Sequence, residues 1–74
     1  MRKEMLHAVP ILSKLLAVRP DLVRAHAKYK VGDIGKYVIV TGVHGRHCYY
    51  IMRADIPKIL HRELTPEEEA ELNG

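Results

Sequence analysis

Four basic side chains lie close together in one short segment of the chain. Arg24 and Lys28 are four residues apart, Arg19 precedes them and Lys30 follows them. Side chains four positions apart share one face of a helix, so Arg24 and Lys28 would form a single cationic edge there. Guanidinium and ammonium groups bind anions, and the commonest polyanion in a cell is nucleic acid. The segment is therefore a candidate anion-binding site.

A second group of polar side chains, His44, His47 and Cys48, lies between two segments rich in β-branched and aromatic residues. These residue types suggest a metal site, but zinc requires three or four converging ligands. A turn would separate His44 from His47, and consecutive strand residues such as His47 and Cys48 point to opposite faces. We therefore expect neither a metal nor another cofactor.

Catalytic residues are also scarce. The single serine, Ser13, stands beside Lys14 in an apolar helical pattern, and nothing places a histidine next to it as a base. The acids cluster at the C-terminal end, where they make a poor scaffold for an acid–base pair. The segment Gly42–Gly45 lacks the form of a phosphate-binding loop. We expect a protein that is not an enzyme.

The charge is divided sharply along the chain. Residues 1–62 carry twelve basic and four acidic side chains, a net charge of +8, whereas residues 63–74 carry five acids and no base. A body this basic attracts polyanions. The chain has four tyrosines and neither tryptophan nor phenylalanine, which argues against an aromatic surface for single strands or RNA.

Length and cysteine content indicate one small domain in a reducing compartment. Cys48 is the only cysteine among 74 residues, so an internal disulfide is excluded. No apolar run approaches the ~20 residues that span a bilayer. We expect a cytoplasmic location and no membrane partner.

Apolar spacing predicts two helices, over 9–16 and 20–29, linked by only three residues. Pro10 and Pro20 fit their first turns, where a missing N–H costs nothing. In the second helix, Leu22 and Val23 are both expected to face inward.

Strands are predicted over 37–41 and 48–52, after a loop at Gly32–Gly35 and on either side of a hairpin loop. A third helix should cover 54–62, capped by Asp55. Thr65 and Glu68 have the spacing of a capping box, which predicts a last helix near 66–72.

This order predicts an α+β fold, a small winged helix-turn-helix. Two short helices come first, followed by a β-hairpin wing and a third helix. Residues 1–62 form the domain, and residues 63–74 form an acidic C-terminal tail or short helix. The tail is either a solubilising segment, which we favour, or a segment whose acids dock a partner protein or shield the basic surface until DNA displaces them.

Two segments resemble the winged helix-turn-helix of phage and transposon excisionases, which is also the DNA-binding module of MerR-type regulators. Residues 15–24, LLAVRPDLVR, are similar to the family pattern Leu-Leu-Gly-Val-Ser-x-x-x-Val-Arg. Residues 45–56, GRHCYYIMRADI, are similar to its Gly-Arg, short strand and Arg-x-Asp-Ile. The chain differs in having Ala17 for the turn glycine, Arg19 for the usual Ser or Thr cap, and a longer connection over 29–36.

The resemblance implies that the second helix enters the major groove of double-stranded DNA. On that basis Arg24 is the candidate for contacting guanine. The candidates for phosphate and wing contacts are Arg19, Lys28, Lys30, His44 and Arg46. Asp21 would either accept from cytosine or complement the helix dipole.

The function implied is that of a DNA-binding accessory protein of excisionase type, which sets recombination directionality in a phage or mobile element. It would bend DNA, recruit an integrase or recombinase, self-associate cooperatively on DNA, and also repress transcription. A MerR-like regulator is less favoured because residues 63–74 are too few for a long dimerisation helix. The alternative is a small protein–protein interaction module of a phage or mobile element on the same scaffold, and RNA binding comes third.

Overall fold

The computed structural model describes residues 5–43 and 45–73. Its helices and strands follow one another in the order β1 Met5–His7, α1 Ala8–Leu16, α2 Pro20–Lys28, α3 Gly32–Tyr37, β2 Ile39–Val43, β3 Arg46–Met52, α4 Ile56–Leu60 and α5 Pro66–Asn73. A 3-10 turn, Arg53–Asp55, joins β3 to α4. The helices and the antiparallel sheet confirm the predicted α+β class. Within the described ranges, no helix has the length and apolar character needed to cross a membrane.

The first two predicted helices are present as α1 and α2, and three residues link them, as expected. Ala17 ends α1 with a left-handed φ of 57°, a conformation usually given to glycine. The Val18 N–H donates to the Ser13 carbonyl at 3.1 Å, and the Ser13 hydroxyl donates to the Val18 carbonyl at 2.5 Å. These bonds reverse the chain so that α2 begins at Pro20. They also give the single serine a structural role.

Helix α3 lies where a loop was predicted from Gly32, Asp33 and Gly35, and that prediction was wrong. Glycine here marks close packing, because the Cα of Gly35 lies against the backbone of Lys30. Tyr37, predicted to open a strand, is instead the last residue of α3. The strand begins two residues later.

The two predicted strands exist as β2 and β3, and both reach further into the hairpin than expected. Val43 pairs with Arg46, so the connection is shorter than the loop expected between the predicted strands 37–41 and 48–52. The strand β1 was not predicted. It pairs antiparallel with β3, giving the order β1-β3-β2.

Strand register separates the sheet into two faces. Leu6 lies opposite Ile51, and Val40 lies opposite Tyr49. Because Ile51 is fully buried, these four residues form the face that packs on the helices. The neighbouring positions form the outer face.

The core is apolar throughout. Its buried side chains are Ala8, Leu12, Val23, Ala27, Ile34, Val38, Ile51, Ile56 and Ile59. Leu15 and Leu16 are half-buried at its edge. Leu22 was expected to face inward but is 40% exposed. Adjacent helix residues point in directions about 100° apart, and Val23 takes the inward one.

The third predicted helix, over 54–62, is shorter than expected and consists of the 3-10 turn and α4. Asp55 makes no capping bond. Its carboxylate pairs instead with Lys58 at 3.2 Å, so the predicted cap was wrong. Beyond α4, His61 adopts a left-handed φ of 60°, and its Nε2 donates to the Asp33 carboxylate at 2.7 Å. This bond ties the end of α4 to the start of α3.

The capping box at the start of α5 is confirmed. The Glu68 N–H donates to Thr65 Oγ1 at 3.2 Å, and the Thr65 N–H donates to the Glu68 carboxylate at 2.9 Å. The helix does not project freely into solvent. Leu72 packs at the edge of the core, and Glu71 pairs with Lys14 of α1 at 2.8 Å.

Candidate nucleic-acid interface

The rotation of α2 is fixed by two fully buried residues, Val23 and Ala27, on its inner side. Arg24 follows Val23 and Lys28 follows Ala27, so the two basic residues lie together on one flank of the exposed surface. Both are exposed, and the Arg24 side chain keeps 47% of its accessible surface. Arg24 and Lys28 therefore form the basic edge of α2, as the sequence predicted.

Within the basic edge, Arg24 is held by an ion pair. Its Nη2 donates to Asp21 Oδ1 at 2.5 Å, one helical turn back. A pair this exposed contributes only about 0–1 kcal/mol to stability, so its effect is to orient the guanidinium rather than to hold the helix. Asp21 was expected either to accept a hydrogen bond from cytosine or to complement the helix dipole. The ion pair with Arg24 is a third role, which was not expected.

The end of α2 presents two further lysines. The Lys28 ammonium lies 5.5 Å from the centroid of the Tyr29 ring, a cation–π distance. Lys30 takes a left-handed φ of 59°, and the Val31 N–H then donates to the His26 carbonyl at 2.8 Å. This is the hydrogen bond of a Schellman motif, with lysine at the position usually occupied by glycine. Lys30 is thereby fixed just beyond the basic edge.

The opposite end of α2 is entered through Arg19. Its backbone carbonyl accepts from the Leu22 N–H at 3.0 Å and from the Val23 N–H at 3.3 Å. Its side chain makes no capping bond and is exposed. The guanidinium therefore lies near the positive end of the helix dipole, where anions are favoured.

Three basic residues elsewhere in the fold have acidic partners. Lys14 pairs with Glu71, Lys58 with Asp55, and Arg62 with Glu68. By contrast, four of the predicted site residues form no ion pair with any residue in 5–43 or 45–73. They are Arg19, Lys28, Lys30 and Arg46. Three of the four flank or belong to α2, so uncompensated positive charge is concentrated there.

The hairpin carries the remaining candidates. Arg46 is exposed and opens β3 directly after the turn, where Gly45 takes a φ of 81°. His44 lies outside the described residues. His47 and Cys48 are consecutive residues of β3, and no group of three potential ligands that could hold a metal ion is present in the described part of the chain.

Two acids of the tail, Glu68 and Glu71, pair with Arg62 beyond α4 and with Lys14 of α1. Arg62 Nη1 and Nη2 each donate to the Glu68 carboxylate at 2.9 Å. This contact, together with the capping bond from Thr65, lowers the pKa of Glu68 to about 2. The same bond raises the pKa of Arg62.

The sequence indicates that Tyr29 and Tyr37, each of which follows a lysine, pack under lysine side chains. On α3 and α4, Lys36 and Lys58 place their ammonium groups 5.3 and 5.8 Å from the centroid of the Tyr37 ring. Sequence reasoning missed the exposure of Leu22, which depends on which of two adjacent apolar residues turns inward.

Comparison with protein-family models, with curated proteins and with solved structures found no match to this chain. What the protein binds must therefore follow from the geometry and charge of its own surface. That surface combines an exposed basic edge on one helix, flanking unpaired cations, and an arginine at the tip of a hairpin.

Proposed function

We propose that this protein binds double-stranded DNA as a winged helix-turn-helix, in which α1 and α2 are the helix pair and β2–β3 is the wing. The observation that carries the proposal is the basic edge, Arg24 and Lys28, turned to solvent by the burial of Val23 and Ala27. The neighbouring Arg19 and Lys30 add positive charge that no described acid neutralises.

In this arrangement α2 lies in the major groove, which is wide enough for an α-helix. Arg24 exchanges Asp21 for a guanine, whose O6 and N7 match the two donors of its guanidinium. Such a bidentate contact discriminates against other bases by about 1–3 kcal/mol. The exposed ion pair with Asp21 costs less than this to break.

Phosphate contacts would hold the helix in register. Arg19 lies at one end of α2, and Lys28 and Lys30 lie at the other, so together they span its length. Arg46, at the tip of the hairpin, would contact the minor groove or its phosphates when the helix is docked. His44 is proposed for the same contact from the sequence alone.

The biological role proposed is that of a non-catalytic accessory factor of excisionase type. It would bind DNA in the cytoplasm of its host, set the direction of site-specific recombination with an integrase or recombinase, assemble cooperatively on DNA, and repress transcription from the same site. The two segments similar to excisionases support this role, and the basic surface of α2 agrees with it.

The test measures binding of the full-length protein to a selected duplex and to a scrambled duplex, over a range of salt concentrations. Affinity should fall steeply, with the logarithm of the binding constant decreasing by about 0.9 per neutralised phosphate for each unit of log salt. Arg24→Ala should lose discrimination between the two duplexes by about 5- to 150-fold. Lys28→Ala should weaken both alike.

Lys14→Ala is the matched control, because it removes one positive charge from α1 at the contact with α5. It should change neither the discrimination nor the salt slope. Equal discrimination by wild type and Arg24→Ala would reject Arg24 as the base-contacting residue. Binding that is insensitive to salt would reject DNA binding through this surface.

The outer face of the sheet supports a second candidate, a protein–protein interaction module. The residues on this face include Met5 and Ile39, which are 43% and 38% exposed, and the half-buried Tyr50 and Met52. Ile39→Ser should disrupt a protein complex formed there and leave duplex binding unchanged. Loss of duplex binding in that variant would connect this face to DNA instead.

A further inference from the structure

Helix α2 exposes a row of apolar side chains next to its basic edge. Leu22 is 40% exposed, Tyr29 is 68% exposed, and Ala25 between them is exposed as well. Residues at positions i, i+3 and i+7 lie along one helix face. We call Leu22, Ala25 and Tyr29 the apolar stripe.

The apolar stripe takes no part in the core. The buried residues of α2 are Val23 and Ala27, and the half-buried side chains packed against the core do not include Leu22. A single exposed leucine is ordinary on a protein surface. Here the leucine is aligned with two other apolar groups. Ala25 lies one turn before Lys28, whereas Leu22 and Arg24 are about 160° apart around the helix and flank its exposed surface on opposite sides. Helix α2 therefore presents one cationic and one apolar side to the same partner.

We infer that the apolar stripe contacts thymine methyl groups in the major groove, so that the protein selects sites in which thymine lies close to the guanine bound by Arg24. This inference rests on the proposed DNA-binding function. The flanking cations identify the occupant as a polyanion. Among the base edges in the major groove, the apolar group available to a leucine or alanine side chain is the C5 methyl of thymine.

Leu22 and Ala25 are the contact residues in this arrangement, because they lie in the same two turns of α2 as Arg24. Tyr29 continues the stripe towards the sugar–phosphate edge, where Lys28 already lies over its ring. Arg24 then provides hydrogen-bonding specificity for guanine, and Leu22 provides apolar specificity for thymine.

The test begins with selection of bound duplexes from a random library by the full-length protein. The selected sites should contain thymine near the guanine whose preference Arg24→Ala relaxes. Each such thymine is then replaced by deoxyuridine, which removes only the methyl group. We expect each replacement to lower the affinity of the wild-type protein about fourfold, as for one buried methyl.

For the Leu22→Ala variant, duplexes with thymine and with deoxyuridine at the contacted position should bind with nearly equal affinity. Because Leu22 is exposed and outside the core, this variant should keep its fold, which circular dichroism checks. Ile39→Ala is the matched control, because Ile39 is 38% exposed and lies on the outer face of the sheet, and this variant should keep the full difference in affinity.

Equal affinity of the wild type for thymine and deoxyuridine sites would overturn the inference, as would selected sites without thymine. Both results are compatible with DNA binding if Arg24→Ala still loses discrimination. If no duplex binds in a salt-dependent manner, the proposed function itself fails, and the apolar stripe belongs to a protein interface.

Discussion

The Cα of Gly35 lies directly against the backbone of Lys30. A Cβ built at position 35 would be 2.3 Å from the Lys30 carbonyl carbon and 2.9 Å from the His26 carbonyl oxygen. Only glycine fits at this distance. The contact allows α3 to pack across the end of α2, and it fixes the turn that presents Lys28 and Lys30.

Gly35→Ala should therefore destabilise the protein. The clash is with backbone atoms, which cannot move aside as a flexible side chain would, and overpacking typically costs about 1–3 kcal/mol or more. Urea unfolding followed by circular dichroism measures the loss. Gly42→Ala is the control, since the nearest atom to its Cβ would be 3.7 Å away, an ordinary contact. A Gly35→Ala protein as stable as wild type would contradict the packing described.

Ala17→Gly should stabilise the protein. Alanine at a left-handed φ of 57° costs about 1–2 kcal/mol of folding free energy, and glycine avoids this cost. The higher entropy of glycine in the unfolded chain cancels part of the gain. We expect a net gain of about 0.5–1 kcal/mol. Ala25→Gly, within α2, should instead lose about 1 kcal/mol. If both substitutions destabilised the fold equally, the turn conformation assigned to Ala17 would be wrong.

Stability should depend on the ionisation of Glu68. Folding lowers its pKa from 4.5 to about 2, chiefly through the hydrogen bonds from Arg62. The ionised carboxylate therefore contributes stability that is complete above about pH 5 and is lost as the pH falls towards 2. Compared with Glu68→Gln, the wild type should have a higher Tm at pH 7, and the difference should narrow on acidification.

Glu67→Gln controls for the loss of a negative charge in the same turn of α5. Glu67 forms no ion pair with the described residues, so its substitution should leave the pH profile of Tm close to that of the wild type. If the Tm of the wild type and that of Glu68→Gln differed by a constant amount from pH 7 to pH 2, ionisation of the Glu68 carboxylate would not contribute to stability.

Arg46→Ala should weaken duplex binding without moving the protein on its site. Arg46 lies on the hairpin, apart from α2, so its loss should reduce the salt slope by about one unit and leave base discrimination intact. Footprinting together with a salt titration measures both quantities, with Lys14→Ala as the charge-matched control. An unchanged affinity and footprint would exclude contact between the hairpin and DNA.

The sequence predicted the elements that depend on local signals. Pro20 marks the start of α2 because proline fits the first turn of a helix. Thr65 and Glu68 mark the start of α5 because, at their spacing, each side chain bonds to the backbone N–H of the other residue. The common face of Arg24 and Lys28 followed from their spacing of four residues. These features need no information from distant parts of the chain.

The missed features depend on contacts between distant segments. Three residues, Met5–His7, are too short for a strand signal and form β1 because β3 offers an unpaired edge. Gly35 suggested a loop, although the close approach of Lys30 is what requires a glycine. Leu22 and Val23 are equivalent in a helical pattern until packing selects one of them. The same ambiguity hid the apolar stripe.

Pairing of β1 with β3 has a practical consequence for anything joined ahead of it. Met5 lies opposite Met52, whereas the hairpin turn follows Val43 and precedes Arg46 at the far end of β3. Seven strand residues separate these ends by roughly 20 Å. A fluorophore, affinity handle or fused domain attached before β1 would leave the sheet at the end remote from the hairpin tip, so labelled protein could report on DNA without obstructing it.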